Sequence, residues 1–408
     1  MPLRYLIIGG GVAGTTAAET IRKNDPVGEI TIVSDEPHRL YSRIMISKPH
    51  YFLGKVPAEH IWLKKESWYG EQKISLMAGK RAVRLDPDGK KVVLDDGTEL
   101  GYDRLLLALG VCARRWKIPG ADRKGVYYVR TLDDFRQYQP ASKVARQGVV
   151  VGGGAIGFEM CEMMSLSGLE TTLIIREGHY WDPVLDQTAG QMVESALENH
   201  GVRVIRGQYV TEALGDGSLT GVRTENGTEV PCRMAAVGIG GFCPHVLAEE
   251  AGIAVNWGIR TDGKMGTNRP DIWAAGDAAE YDDPIFGEPT VFGSWSNAQN
   301  HGRVAGINMS GGDETYSRVT FYAVSGFGLN IAFVGKVAPL PDRTFVSRGN
   351  PEVGYGRLVL KGNRLVGAQL INRTPEVSAI TRLIETRKDI SGHLDQLADA
   401  GFDLKRLP

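Results

Sequence analysis

Two runs in this chain spell the same motif. Ile7-Ile8-Gly9-Gly10-Gly11-Val12-Ala13-Gly14 lies at the start, and Val150-Val151-Gly152-Gly153-Gly154-Ala155-Ile156-Gly157 lies far downstream. Each reads as a short apolar strand, a tight glycine turn and the start of a helix, in the G-x-G-x-x-G pattern of a dinucleotide fingerprint. Glycines at these places let backbone N–H groups approach a pyrophosphate at the positive end of a helix. A chain with two such cradles is expected to bind two dinucleotides, and the commonest reason to bind two is to pass electrons between them.

The duplication extends well beyond eight residues. Strand Tyr5–Ile8, helix Ala13–Lys23 and strand Glu29–Val33 are expected first. After a loop-rich stretch, Arg81–Leu85, Lys91–Leu94 and Thr98–Tyr102 form an antiparallel meander around Asp86-Pro87-Asp88-Gly89 and Asp95-Asp96-Gly97 turns. Arg104–Ala108 closes the unit as a buried strand. The second copy repeats the order: strand Val149–Val151, helix Ile156–Leu166, strand Thr171–Ile175, a polar helix ending near His200, strand Val202–Ile205, a meander turning at Asp216-Gly217 and Asn226-Gly227, and closing strand Met234–Ile239. A helix is expected over Asn297–Met309. From about Tyr322 the character changes to an α+β module. There Arg357–Leu360 and Arg364–Leu370 make a hairpin, and Thr374-Pro375-Glu376 reads as an N-cap, a proline at the first helical position and a first-turn acid.

At 408 residues two or three domains are expected, and a net charge of −1 points to neither nucleic acid nor an anionic membrane. No apolar run is long enough to span a bilayer. Met1 leads straight into a strand, so a cytoplasmic location is the default expectation. Cys112, Cys161, Cys232 and Cys243 have neither redox-disulfide nor metal-ligand spacing, so they read as reduced thiols in partly buried places, with no metal site.

The acid that follows the second strand of each unit discriminates ligands. Asp35 or Glu36 stands where a carboxylate accepts hydrogen bonds from a ribose diol. In the second copy Ile175 takes that place and Arg176 follows. An arginine there pairs with a 2′-phosphate and leans towards NADPH, whereas the adjoining Glu177 would serve NADH. Glu159, two residues past Gly157, reads from sequence alone as an acid favoured by the helix dipole.

Together these features resemble the FAD-dependent pyridine nucleotide–disulfide oxidoreductase superfamily over roughly residues 3–309. Thr267–Asp277 is similar to the third motif of that family, whose aspartate, here Asp277 after Gly276, meets the ribityl chain of FAD. Tyr41-Ser42-Arg43-Ile44-Met45-Ile46-Ser47-Lys48 resembles the Y-x-R-P-P-L-S-K segment of the branch that holds rubredoxin and ferredoxin reductases, apoptosis-inducing factor and the flavoprotein part of assimilatory nitrite reductase. The resemblance implies that Arg43 contacts FAD and that Lys48 sits by the flavin, paired with Glu159. Gly293-Ser294-Trp295-Ser296-Asn297-Ala298 is similar to the segment before the helix that points at the flavin pyrimidine.

The resemblance thus gives Gly9, Gly11, Val12, Ala13, Gly14, Asp35, Glu36, Arg43, Lys48, Ala82, Ala108, Gly110, Gly276, Asp277 and Trp295 to FAD. It gives Gly152, Gly154, Ala155, Ile156, Gly157, Glu159, Arg176 and Gly240 to NADPH or NADH. Lys48 and Glu159 are the expected catalytic pair. The chain departs from the family at Ile44 and Met45, where the family has two prolines, at Leu109 of Ala108-Leu109-Gly110, where the family has A-T-G, and in its thiols: no C-x4-C follows the first helix, and Ser42 lies near the place of a flavin-facing cysteine.

The implied fold is α/β. Two Rossmann-like three-layer (ββα) domains, one for FAD over residues 1–118 and 242–320 and one for NAD(P)H over 119–241, precede a small C-terminal α+β domain over 321–408. The implied activity is hydride transfer from NAD(P)H to FAD, then electron delivery to a small carrier protein of the rubredoxin or ferredoxin kind. An NAD(P)H oxidase or quinone reductase, and an FAD-bound redox-sensing scaffold, are the alternatives. Monomer and homodimer are both compatible with the sequence.

Overall fold

A computed structural model of the chain describes residues 1–407. The chain divides into two units, each built from three stretches: residues 1–42, 59–112 and 242–318 in the first, and residues 43–58, 113–241 and the described residues from 319 onwards in the second.

In the first unit a parallel sheet has the order Ile272–Ala274, Arg104–Leu107, Arg4–Ile8, Glu29–Ser34, Ile74–Ala78. Period-two alternation sends its side chains to two separate cores. Ile7, Ile32 and Leu106 face a helical layer with Ala17, Ile21 and Val304. Leu6, Ile8, Leu105 and Leu107 face the other way, onto Leu85, Val92 and Leu94 of the antiparallel meander Ala82–Asp86, Lys91–Leu94 and Glu99–Gly101. Burial on both faces explains why these strands read as unbroken apolar runs. Helices Val12–Asn24 and Trp295–Met309 approach closely because Gly302 lies against the backbone of Ala13 and Gly306 against Ala17.

The second unit repeats the three layers. Its parallel sheet runs Arg203–Ile205, Glu170–Ile174, Gln147–Val151, Met234–Val237, Val126–Tyr128. One face of it, with Val149, Val151, Ala235 and Val237, packs on Ala213, Val222 and Val230 of the meander Val210–Leu214, Gly221–Thr224 and Glu229–Pro231. The C-terminal module is a five-stranded antiparallel sheet in the order Phe321–Gly326, Leu329–Gly335, Arg364–Ile371, Gly354–Lys361, Arg343–Asn350, with helix Val377–Thr386 against it. The α/β architecture with a small α+β C-terminal part is therefore the one expected.

Several local expectations need correction. The fifth strand, Ile74–Ala78, lies within the stretch read as loop. Helix Leu132–Val144, which contains Pro140, is absent from the expected elements. A capping box, with Thr131 accepting from the Asp134 N–H and Asp134 accepting from the Thr131 N–H, starts that helix. Thr374 is not an N-cap: residues 374–376 make a single 3-10 turn, and helix Val377–Thr386 starts without a side-chain cap. Glu376 is instead drawn to Arg348 and Arg373. Helix Trp295–Met309 starts two residues early, so Trp295 is its first residue rather than part of the preceding loop, and Ser294 caps it by accepting from the Asn297 N–H.

Candidate functional site

In both cradles the three glycines have the same three jobs. Gly9 (φ +121°) and Gly152 (φ +112°) turn the chain where only glycine is at ease. A Cβ on Gly9 would overlap the Ala108 carbonyl, and one on Gly152 the Gly238 carbonyl. A Cβ on Gly14 or Gly157 would overlap the carbonyl of the first glycine in its own cradle, so each helix sits hard against its turn. The middle glycines differ: a Cβ on Gly11 or Gly154 would meet nothing within 4 Å. These two are the helix N-caps, and neither has a side-chain cap. The N–H groups at the start of each helix, over Val12-Ala13-Gly14 and Ala155-Ile156-Gly157, lie in the first turn, where intrahelical partners are lacking. Neither helix has an acid in its first turn to repel an anion. Open ground above a bare helix N-terminus is what a pyrophosphate requires, so the residues fit a dinucleotide at each cradle.

Around the first cradle, Asp35 is exposed and ion-paired with Arg81 at 3.3 Å, and Glu36 accepts from the Tyr41 hydroxyl at 2.6 Å. Both follow strand Glu29–Ser34, whose Ser34 lies beside Gly10. Ala82 begins the meander, Ala108 backs Gly9, and Gly110 turns with φ +64°. Gly276 turns with φ +79°, and Asp277 follows it in the 3-10 turn Gly276–Ala278. A Cβ on Gly293 would lie 3.4 Å from the Asp277 carboxyl carbon, so the loop before Trp295 passes close to that carboxylate.

In the second unit Lys48 donates to Glu159 Oε1. The Glu159 carboxylate is buried, at 6% exposure, and the Lys48 side chain is a third exposed. Glu159 stands a full turn into helix Ala155–Leu166, deeper than a first-turn acid. Lys48 leads a short helix, Pro49–Phe52, that aromatic contacts of Tyr51 and Phe52 with Phe135 and Tyr138 hold to helix Leu132–Val144. Tyr138 donates to the Ile46 carbonyl, and Arg43 donates to the Arg130 carbonyl at 2.9 Å.

Arg176 is largely exposed, and its Nε donates to Glu177 at 2.7 Å. Gly240 turns with φ +97°, and its carbonyl accepts from the Arg114 N–H at 2.9 Å. Tyr180 is a residue that sequence reasoning missed. It is fully buried, and its hydroxyl donates to the Gly154 carbonyl at 2.7 Å, bracing the second cradle from behind. A lone loop tyrosine carries no periodic signal that would have found it.

The four cysteines are free: Cys161, Cys232 and Cys243 are buried, whereas Cys112 is exposed rather than partly buried as expected. Burial pushes the Cys243 thiol up to about 11 and the Cys232 thiol up to about 12. Among the described residues no group of His, Cys, Asp and Glu could hold a metal ion. No helix among them is long and apolar enough to cross a membrane.

The family model described as pyridine nucleotide-disulphide oxidoreductase matches residues 3–302. The chain belongs to that family. A second model, reductase C-terminal, matches residues 326–408. Among curated proteins, the ferredoxin–NAD(+) reductase component of the biphenyl dioxygenase system of Paraburkholderia xenovorans is 31% identical over 98% of this chain and 97% of its own. Among solved structures, the ferredoxin reductase for the CYP199A2 system of Rhodopseudomonas palustris is 28% identical, with a TM-score of 0.91 over 99% of both chains. Putidaredoxin reductase in its covalent complex with putidaredoxin is 25% identical, with a TM-score of 0.92 over 99% of this chain and 97% of that one. As a member of the pyridine nucleotide-disulphide oxidoreductase family, the chain is an oxidoreductase that works with FAD and a nicotinamide dinucleotide.

Proposed function

We propose that this protein is an NADH-dependent reductase of a small iron–sulfur carrier protein of the ferredoxin kind, with FAD at the Gly9–Gly14 cradle and the nicotinamide dinucleotide at the Gly152–Gly157 cradle. The observation that carries this reading is the likeness to carrier-protein reductases along the whole chain, C-terminal module included. FAD when bound takes a hydride and gives up electrons one at a time, which suits a one-electron partner. The helix starts at Val12 and Ala155 hold the two pyrophosphates. Asp35 or Glu36 accepts from the ribose of FAD, and Asp277 from its ribityl chain. Lys48, held by Glu159, brings a positive charge to the flavin, and Trp295 opens the helix whose N-terminus favours negative charge there. Three buried thiols and one exposed one, none in a disulfide, support electron exit without a cysteine relay.

NADH is favoured over NADPH because the Arg176 guanidinium is already engaged by Glu177, whose carboxylate would also repel a 2′-phosphate. Free thiols suit a reducing compartment, and we place the protein in the cytoplasm. Stopped-flow mixing tests the reading. NADH should bleach the bound flavin, and a ferredoxin should then restore its colour faster than oxygen does. Failure of both nicotinamides to bleach it would end the proposal, and steady oxygen uptake without a carrier would replace it with an oxidase. Arg176→Ala should leave NADH affinity within about twofold. A selective loss of NADPH affinity in that variant would restore NADPH as the substrate.

A further inference from the structure

Helix Trp295–Met309 buries a histidine that has no part in the site described above. His301 is fully buried, and neither of its ring nitrogens has a hydrogen-bond partner among the described residues. It is closed in by two tyrosine rings set edge to face, Tyr281 at 4.8 Å and Tyr316 at 4.4 Å between centroids. Both phenol hydroxyls are committed elsewhere: Tyr281 donates to Asp283 at 3.0 Å and Tyr316 to Asn297 at 2.5 Å. The backbone polar group that acts on the imidazole is that of Gly276. Gly276 is wedged between two helices, since a Cβ there would lie 3.0 Å from Ala13 Cβ and 3.5 Å from Ala298 Cβ. Gly302, the neighbour of His301, lies against the Ala13 carbonyl. One junction therefore joins the first turn of the first cradle helix, the turn that carries Asp277, and His301.

We infer that His301 is a positioning residue of the first dinucleotide site, a neutral imidazole packed behind the Gly276–Ala278 turn whose protonation loosens that turn and releases the flavin. The inference rests on the assignment of FAD to the Gly9–Gly14 cradle. The imidazole is tolerated unpaired only while uncharged, because an ionised group sealed from water without a partner is far costlier than a neutral one. Burial pushes its pKa down from 6.5 to about 3, with the Gly276 backbone acting in the opposite sense. The titratable groups packed against it are Tyr281 and Tyr316, both raised by burial and uncharged, with Asp283 one step behind on the Tyr281 hydroxyl. A histidine with a lowered folded pKa binds its proton more readily in the opened form. The closed site is therefore unaffected above the ordinary pKa and loses stability as pH falls through it towards the folded value.

The experiment follows flavin fluorescence of the holoprotein during acidification, with His301→Leu and His301→Met beside the wild type. Neither variant takes a proton, so the pH midpoint of flavin release is expected to fall by about half a unit or more. A purely structural role would weaken flavin binding at every pH and leave the midpoint unmoved or raised. Nitrogen NMR of labelled histidines supplies a readout that needs no folded variant: one buried imidazole should stay neutral well below the ordinary histidine range. Unchanged midpoints in variants that hold flavin at neutral pH, or titration of every histidine near its ordinary value, would overturn the inference. Gly11→Val tests the assignment beneath it. Retention of flavin by that variant would defeat the cradle assignment itself, whereas loss of flavin there with an unmoved His301 midpoint would defeat only the inference.

Discussion

Removing Lys48 alone leaves the Glu159 carboxylate buried without its cation. Loss of one partner from a fully buried pair costs about 3–5 kcal/mol, and less where one partner is partly solvated, so Lys48→Met is expected to cost about 2 kcal/mol in thermal unfolding. Pairing it with Glu159→Gln removes the stranded charge and should recover most of that loss, while hydride transfer from NADH stays slow in both variants. A double variant as unstable as the two single losses added together would show that the residues act separately. The pair also marks what was legible at this scale. The turns at Gly9 and Gly152 could be read from spacing, because a positive φ is a local backbone demand, whereas the close approach of the Ala108 and Gly238 carbonyls could not. The Lys48–Glu159 contact joins residues 111 positions apart and came only from resemblance. Tyr180, which braces Gly154 by a single long-range hydrogen bond, left no local trace.

Elements were legible where periodicity was local and misread where a distant partner overrode it. Thr374-Pro375-Glu376 has the composition of a helix start, but Glu376 is taken by Arg348, a fully buried guanidinium that also donates to the carbonyls of Leu397 at 2.9 Å, Asp399 at 2.7 Å and Phe402 at 2.7 Å. Arg348 thereby ties the last segment of the chain to strand Arg343–Asn350. Arg348→Met should cost about 3–5 kcal/mol in denaturant unfolding and open residues 394–407 to limited proteolysis. Undiminished protease resistance there would mean that packing alone holds the segment. Helix Val377–Thr386 ends on Arg387 in the left-handed region, at φ 51°. Arg387→Gly removes that strain and is expected to raise stability by up to about 1 kcal/mol in the same assay. Helix Leu132–Val144 has no counterpart among the expected elements, although the capping box of Thr131 and Asp134 begins it.

For the whole molecule, the duplicated three-layer order was visible in the sequence because both halves bury their parallel sheets on two faces and so repeat the same apolar runs. The division into two units was less so. The short stretch 43–58 joins the second unit through aromatic contacts that no window of sequence contains. The thiols allow a test of electron exit. Cys112 is exposed and the other three cysteines are buried. Iodoacetamide under native conditions should therefore label only Cys112, found by mass spectrometry, and leave reoxidation of the NADH-reduced flavin by a ferredoxin unchanged. Loss of that reoxidation on labelling would bring a cysteine back into the electron path.

The first sheet has a consequence for how the protein is made. Strand Ile272–Ala274 lies beside Arg104–Leu107, and helix Trp295–Met309 is what Gly302 presses onto the first cradle helix. A ribosome that has finished the first fingerprint has made the turn to which we assign the flavin pyrophosphate, but not the edge strand or the backing helix that fix it. Synthesis must pass residue 309 before the first unit can close, and the whole of the second cradle leaves the exit tunnel before then. With the flavin at the first cradle, as proposed, nascent chains stalled short of that point should stay colourless with FAD in the medium, and flavin should enter only a chain that already carries its second fingerprint.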